Sequence, residues 1–435
     1  MRVLVLFFCF SSAIFAQQEK DSLLTVEKDT IIILNDAINA EENPAIFKDA
    51  ELKSIDSLWS VSKFNSPLID TLEYFIADKD ITGNTSQILT TDLLKKRLSV
   101  LNNTTPFNLA YNPALEKVIQ SYLKYRSRYY PALMAKAKYY FPIFEQYLDQ
   151  YDIPLEMKYL AIVESALRPK ARSRVGASGL WQFMYGTGKQ FDLKISSYVD
   201  ERLDPVKATI AACKYLSKLY TTFGDWDLAL AAYNSGPGNV SKAIKRSGGF
   251  KNYWNIRPYL PSETAGYVPA FYATMYIFNY ANEHNIYPEL PKFFNFQTDT
   301  IRVKRTISFA QISKVLEVDE ETLTFLNPAY KLNIIPYIKG RNYAVRLPTS
   351  NVIDFLEKEK DVYALADAHD AKRERPLPKY FEMDKRIRYK VKSGDYLGKI
   401  ANKFGVNVSS IKRWNSLKNS NLKIGQRLYI FPKRI

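Results

Sequence analysis

Residues 154–183 read PLEMKYLAIVESALRPKARSRVGASGLWQF. Pro154 suits the first turn of a helix, and the helix that it opens must end before Pro169. Near its end this helix is apolar on every side, as helices inside a protein core are. The small residues and glycines that follow let the backbone pass close to another chain or to a ligand. The sequence therefore predicts a buried helix and then a tight loop.

Glu164 stands near the end of this helix, in a run of apolar residues: Leu160, Ala161, Ile162 and Val163. Burial disfavours the charged form of a carboxyl, and the negative end of the helix dipole acts in the same direction. Both effects raise the pKa, which a general acid at neutral pH requires. The alternative, on this helix alone, is a solvated glutamate at a helix end.

Helical spacing of apolar residues extends well beyond this stretch in both directions. It recurs at residues 115–126, 130–150, 205–223, 225–233 and 264–284. Almost nothing in this part of the chain alternates with period two. Residues 106–290 are therefore predicted to form one all-α domain.

Two later segments, 299–348 and 387–432, follow a different pattern. Each begins with a β-like run, continues with two short helical stretches, and closes on a strand after a turn that contains Gly340 or Gly425. They are a degenerate repeat of about 45–50 residues and predict two small α+β modules of βααβ order. Residues 351–385 are charged and contain prolines, and are expected to be a linker. The fold class is thus multidomain and mainly α.

The first residues indicate export. A short positive start precedes an apolar run over residues 3–15, which is too short to span a membrane. Residues 1–16 are therefore predicted to be a signal peptide that directs the chain across the inner membrane, to the periplasm or cell envelope. Residues 17–105 are acidic and rich in Ser and Thr, and are expected to be a flexible region.

Histidine and cysteine are too scarce for several kinds of active site. The histidines are His284 and His369, and neither lies in a motif-rich stretch. This argues against a Ser-His-Asp triad, a Cys-His pair or a His-ligated zinc ion. After removal of a signal peptide Cys213 is the remaining cysteine, expected to be a small buried apolar residue. A carboxylate remains as the natural catalyst, with no metal and no cofactor.

The net charge of +16 is unevenly spread along the chain. Residues 386–435 carry 13 Lys or Arg and a single acid, Asp395. Such a basic end suits a nucleic acid, an anionic membrane surface or an anionic cell wall, and a solvated basic face is the plain alternative. Export disfavours a nucleic-acid partner, while peripheral association with the outer membrane stays open.

Three motifs, in this order and spacing, carry a family resemblance. They are Glu164-Ser165, the run GASGLWQF over residues 176–183 and the run AAYNSGPGNV over residues 231–240. Together they resemble the lytic transglycosylase domain of the lysozyme-like superfamily, over residues 106–290. The flanking IPLEMKYLAIVES, DERLDP and FGDWDLALAAYN resemble the membrane-bound lytic murein transglycosylase D group. The resemblance implies an all-α, lysozyme-like catalytic domain.

The resemblance also implies roles for particular residues. Glu164 would be the single catalytic acid and base. Residues expected to bind the substrate or line its subsites are Ser173, Gln182, Tyr233, Asn234 and Tyr267. For Tyr267 the alternative is a buried structural tyrosine.

Residues 387–432 resemble a LysM module, which binds glycans that contain N-acetylglucosamine. The run from Tyr389 to Asp395, YKVKSGD, carries this likeness together with Trp414-Asn415. Residues 299–348 resemble the module only weakly. They keep Leu326-Asn327-Pro328, but Arg305-Thr306-Ile307 stands where the Ser-Gly-Asp turn belongs, so this module either binds glycan or serves as a spacer.

The resemblance implies an enzyme that cuts the β-1,4 bond between N-acetylmuramic acid (MurNAc) and N-acetylglucosamine (GlcNAc) in peptidoglycan glycan strands. The product would carry a 1,6-anhydro-MurNAc end, and the role would be cell wall turnover and remodelling. Two alternatives stay open. A hydrolytic muramidase of the two-carboxylate type needs a partner such as Asp225 to approach Glu164 through folding. A non-catalytic peptidoglycan-binding protein needs no chemistry at all.

Overall fold

The computed structural model describes residues 89–374, 376–378, 380, 382, 387–404, 406–415, 417 and 419–430. The predicted signal peptide, residues 1–16, lies outside the described residues, as does the acidic region up to residue 88. Within the described part of the chain, no helix combines the length and the apolar character needed to cross a membrane.

The first large domain is helical, as the sequence predicts. Its helices are α1 (Thr91–Asn102), α2 (Pro113–Arg126), α3 (Tyr130–Gln150), α4 (Leu160–Ser165), α5 (Tyr185–Gln190), α6 (Pro205–Phe223), α7 (Trp226–Ser235), α8 (Pro237–Arg246), α9 (Tyr253–Ile256) and α10 (Ser262–Asn279). Asn112, Asp204 and Asp225 cap helices α2, α6 and α7 through their side chains. Cys213 on α6 is fully buried, as predicted.

Helix α1 lies inside the region that the composition predicts to be flexible. Its Leu94, Leu98 and Leu101 recur at helical spacing and are buried in the core of the helical domain. The domain therefore begins by Thr91 and not at residue 106. The acidic composition of residues 17–105 as a whole does not indicate that these three leucines are spaced for a buried helix face.

Helix α10 is the centre of this domain. Its residues 264–277 are buried, and it packs against α2, α4 and α7. A helix surrounded in this way can point side chains to several neighbours at once. Tyr267 faces the end of α4, whereas Tyr272 faces the start of α7.

The first small module contains the predicted βααβ elements and, in addition, a second pair of short strands inside them, so that its order is ββααββ. Strand β1 (Thr298–Arg302) pairs antiparallel with β4 (Ala344–Pro348), and β2 (Ile307–Ser308) pairs with β3 (Ile334–Ile335). Its helices are α11 (Phe309–Leu316) and α12 (Glu320–Leu326). Backbone hydrogen bonds tie it to the helical domain, from Asp200 to Ala329 and from Lys331 to Tyr198.

The first part of the expected linker, 351–385, is instead two helices, α13 (Thr349–Glu357) and α14 (Glu359–Ala371). Their Phe355, Val362 and Ala366 are buried in the core of the first module. Charged side chains dominate the exposed faces, which is why the composition resembles a linker.

The second small module contains strands β5 (Ile387–Lys390) and β6 (Arg427–Ile430), which pair antiparallel around helices α15 (Leu397–Lys403) and α16 (Val408–Trp414). Asn415 follows α16, and its side chain exchanges two hydrogen bonds with the backbone of Tyr429, at 2.6 and 2.8 Å. Asn327 makes the same pair of bonds to Arg346 in the first module, at 2.7 and 2.8 Å. This shared clamp confirms that the two segments are structural repeats.

Candidate active site

The site is built around the end of α4. A 3₁₀ turn over Leu155–Tyr159 leads into this short helix, and Glu164 is its second-last residue. The next two residues after Ser165, Ala166 and Leu167, have φ values of +49° and +54°. L-residues rarely adopt this left-handed conformation, and such outliers cluster at functional sites.

Ser165 holds this turn in place. Its hydroxyl lies 2.9 Å from the carbonyl oxygen of Ala161 and 2.8 Å from that of Leu180. The first contact is within α4, and the second reaches the loop that follows. Ser165 is fully buried, so it positions the turn and does not meet a substrate.

Glu164 is half-buried and keeps some exposed surface. The hydroxyl of Tyr267 donates a hydrogen bond to Oε1 of Glu164. Burial raises the pKa of Glu164 to about 8; the hydrogen bond from Tyr267 opposes this shift, and the charge of Glu263 adds to it. At neutral pH the carboxyl is therefore mostly protonated, as a general acid must be.

The loop over residues 171–183 forms one wall beside Glu164. Gly179 has φ +90°, and a Cβ atom there would lie 1.8 Å from the carbonyl oxygen of Arg202, so no other residue fits. Gln182 has φ +46°, and its side-chain amide donates to the carbonyl of Gly179 at 2.7 Å. Ser173 accepts a hydrogen bond from the backbone N–H of Ala177 at 3.0 Å. Both polar side chains thus brace the loop.

A buried ion pair, Asp200 with Arg202, also holds this loop in place. The guanidinium of Arg202 contacts both carboxylate oxygens of Asp200, at 3.0 and 2.8 Å. It also donates to the carbonyl oxygens of Gly176 and Phe183, at 3.1 and 3.2 Å. Both residues belong to the DERLDP motif, in which a sequence pattern alone does not reveal the ion pair.

Helix α7 supplies two further residues of the site, Tyr233 and Asn234. The hydroxyl of Tyr233 donates to the carbonyl of Trp181 at 2.9 Å. Burial raises the pKa of Tyr233 well above its usual value, and the charge of Glu164 adds to this shift, which places the two groups near each other. Asn234 accepts a hydrogen bond at 2.8 Å from Thr264, and so ties α7 to the start of α10.

The predicted residues therefore divide into two groups. Tyr233 and Tyr267 lie beside Glu164, and Asn234 joins the helices that carry them. For Ser173 and Gln182 the described contacts go to their own loop.

Asp225, the candidate for a second catalytic carboxylate, is used elsewhere. Its side chain caps α7 by accepting the backbone N–H of Leu228 at 2.7 Å. It stands eight residues before Tyr233, about 12 Å along the helix axis. Glu263, which is not among the predicted site residues, is the carboxylate whose charge acts on Glu164. Its spacing of four residues from Tyr267 puts both on one face of α10 and was the available signal.

Family comparisons cover most of the described chain. Residues 142–256 match the Transglycosylase SLT domain. Residues 297–364 match the LysM-like domain of lytic transglycosylase MltD, and residues 389–431 match the LysM domain. The match to 297–364 includes α13, in keeping with the packing of that helix on the first module.

Similar proteins include two enzymes of Escherichia coli (strain K12). Membrane-bound lytic murein transglycosylase D is 31% identical over 330 residues, which cover 73% of this chain and 69% of that protein. The soluble lytic murein transglycosylase is 37% identical over 136 residues, 30% of this chain and 21% of that protein.

Among solved structures, the 70 kDa soluble lytic transglycosylase of E. coli shares 31% identity over 35% of this chain and 26% of that chain, with a TM-score of 0.29. The match to transglycosylase D spans more than two thirds of that protein and agrees with the domain matches. The chain belongs to the membrane-bound lytic murein transglycosylase D family and is a lyase of glycosidic bonds.

Proposed function

We propose that the chain cuts the β-1,4 bond between MurNAc and GlcNAc of peptidoglycan and leaves a 1,6-anhydro-MurNAc end. The observation that carries this proposal is the surroundings of Glu164. Burial raises its pKa to about 8, the residue keeps some exposed surface, and its Oε1 accepts a hydrogen bond from Tyr267. One group that gives and then takes a proton is sufficient for an internal cyclisation.

In the first step the protonated Glu164 gives its proton to the glycosidic oxygen. The bond between that oxygen and the anomeric carbon breaks, and its electron pair leaves with the GlcNAc oxygen. The Glu164 carboxylate then takes the proton of the muramic 6-hydroxyl, whose oxygen bonds to the anomeric carbon. Water is not consumed, and Glu164 ends the cycle protonated.

The surrounding residues have separate roles in this proposal. Tyr267 holds the carboxyl in one orientation, and Tyr233 lines the cleavage subsite beside it. The loop that carries Ser173 and Gln182 contacts the sugar, and Asn234 holds α7 against the start of α10. Support for these roles comes from the contacts of Tyr267 and Asn234 and from the proximity of Tyr233 to Glu164.

A hydrolytic muramidase remains the second candidate, because Glu263 is close enough for its charge to act on Glu164. Mass spectrometry of products from purified sacculi separates the two. The expected ends are anhydro ends, lighter by one water than hydrolysed ends. Reducing ends throughout would contradict the proposal, and an absence of soluble fragments would support a protein that binds without cutting.

The second module is proposed to anchor the enzyme on the glycan after export to the cell envelope, where cutting would serve wall turnover and remodelling. Its glycine turn supports this, since Gly394 has φ +77° and Asp395 accepts hydrogen bonds from Tyr389 and from the backbone of Lys392. Cosedimentation of the full chain with sacculi tests the anchor. Replacing Asp395 with Ala should weaken binding and leave the cut itself unchanged, whereas unchanged binding would refute the anchor.

A second observation favours a spacer role for the first module. Its corresponding turn is covered by α14, because Lys304 pairs with Glu359 at 2.7 Å and Arg305 pairs with Asp370 at 3.2 Å. The backbone of Lys304 also donates to the hydroxyl of Tyr363. We therefore assign glycan binding to the second module.

A further inference from the structure

A cavity of about 310 Å³ lies between α8 and the segment before α10 and plays no part in the chemistry described above. It is bounded by α8 on one side and by the segment before α10 on the other. Its lining residues are Asn239, Lys242, Arg246, Tyr259, Leu260 and Pro261.

The walls of this cavity combine positive charge with an apolar floor. Lys242 and Arg246 lie one helical turn apart on α8, so their side chains share a face. Both are exposed, and neither forms an ion pair with a described residue. Leu260 is buried and Tyr259 is partly buried, and the lining includes no acidic residue.

Two chain segments that line the cavity continue directly into the active site. Asn239 follows the sharp turn after Tyr233 and Asn234, and Pro261 precedes the helix that carries Tyr267. The hydrogen bond between Asn234 and Thr264 fixes these two segments together. Pro261 and Tyr267 are six residues apart, about 9 Å along the axis of α10. An extended peptide of three residues spans a similar distance.

We infer that this cavity binds a free carboxylate of the peptide stem attached to the muramic acid. Peptide stems carry carboxylates on short aliphatic residues, which fit two cations above an apolar floor. Guanidinium groups pair with carboxylates through two parallel hydrogen bonds. A bare phosphate would leave most of the volume and the apolar floor unused. This inference rests on the proposed function, because it needs peptidoglycan as the substrate.

The test uses two substrates and two matched variants of the full chain. The substrates are intact sacculi and glycan strands from which an amidase has removed the stems. One variant combines Lys242→Ala with Arg246→Ala. The control combines Lys245→Ala with Lys251→Ala, which removes the same charge from exposed residues outside the cavity lining.

The cavity variant should lose roughly 3- to 10-fold in kcat/KM on intact sacculi, through KM, because two charge-assisted contacts are lost. It should cut stem-free strands as fast as the unmodified chain, which also shows that it folds. The control should match the unmodified chain on both substrates. Equal losses on both substrates, no loss on either, or an equal loss in the control would overturn the inference.

Binding to vesicles that contain an anionic phospholipid tests the other source of a negative group. If the cavity variant loses vesicle binding and keeps its activity on sacculi, the cavity takes a lipid phosphate and the inference fails. Failure of the proposed function is distinct, because the unmodified chain would then yield no anhydro ends from either substrate.

Discussion

Two tyrosine–carboxyl pairs on the same helix differ in what they can do. On α10, Tyr267 donates to Glu164 and Tyr272 donates to Asp227. Burial raises the pKa of each carboxyl to about 8. Asp227 is only 4% exposed, however, whereas Glu164 keeps a larger exposed surface.

The comparison shows that a raised pKa does not by itself identify a catalytic acid. Asp227 has the proton but no path to a substrate, so its bond to Tyr272 joins α7 to α10 inside the core. Glu164 stands at a helix end, where two left-handed residues turn the chain, and the residue keeps some exposed surface. Access and backbone geometry distinguish the two sites, and the pKa, which is the same in both, does not.

The largest expected effect comes from removing the accessible carboxyl. Glu164→Gln should lower turnover on sacculi by roughly 100- to 10,000-fold, because no proton donor remains. The amide still accepts the hydrogen bond of Tyr267, so thermal unfolding should be little changed. The matched variant Asp227→Asn should keep its turnover. A Glu164→Gln variant that still solubilises peptidoglycan would refute the assignment.

Removing the sealed carboxyl should affect stability instead. Asp227→Ala leaves the buried hydroxyl of Tyr272 without its acceptor and opens a small cavity, which should lower the free energy of unfolding by about 2–4 kcal/mol. Denaturant titration measures this loss. Turnover per folded molecule should persist at temperatures below the transition. Loss of turnover in a fully folded variant would instead make Asp227 part of the chemistry.

The sequence points to one member of this comparison and not to the other. It predicts a role for Glu164 because the helix is apolar and the neighbouring motifs are specific. Asp227 was quoted only within a motif, since an aspartate in the first turn of a helix usually stays solvated and favours the charged form. Its burial depends on α10 packing against α7, a contact between residues that are 45 positions apart in the chain.

The domain pattern shows the same limit. The helical domain and the two βααβ modules follow from local periodicity, which the sequence displays directly. The sequence does not reveal helices α1, α13 and α14, because their few core residues stand among charged ones. Whether those residues are buried depends on the surface against which each helix packs. The side chain of Gln182 contacts its own loop because its backbone has a positive φ, which no sequence pattern predicts at this position.

The pH dependence of stability should separate the pairs further. With a folded pKa of about 8, Asp227 holds a proton that the unfolded chain has lost above about pH 4. Its contribution is therefore complete at low pH and falls as the pH rises from about 4 to 8, by up to about 1.4 kcal/mol per pH unit. Asp227→Asn cannot titrate at this position. As the pH rises from 5 to 9, the difference between its melting temperature and that of the unmodified chain should therefore shift in favour of the variant. Parallel curves would contradict the buried, protonated state.

The smallest effect is expected from the tyrosines. The bond from Tyr267 lowers the pKa of Glu164, so Tyr267→Phe should move the alkaline limb of the pH–rate profile to higher pH. The maximal rate should fall only about fivefold, the value of one net hydrogen bond of about 1 kcal/mol. Tyr272→Phe is the matched control and should leave the profile in place while lowering stability slightly. An unmoved limb in Tyr267→Phe would reduce Tyr267 to a structural tyrosine, and access alone would then distinguish Glu164 from Asp227.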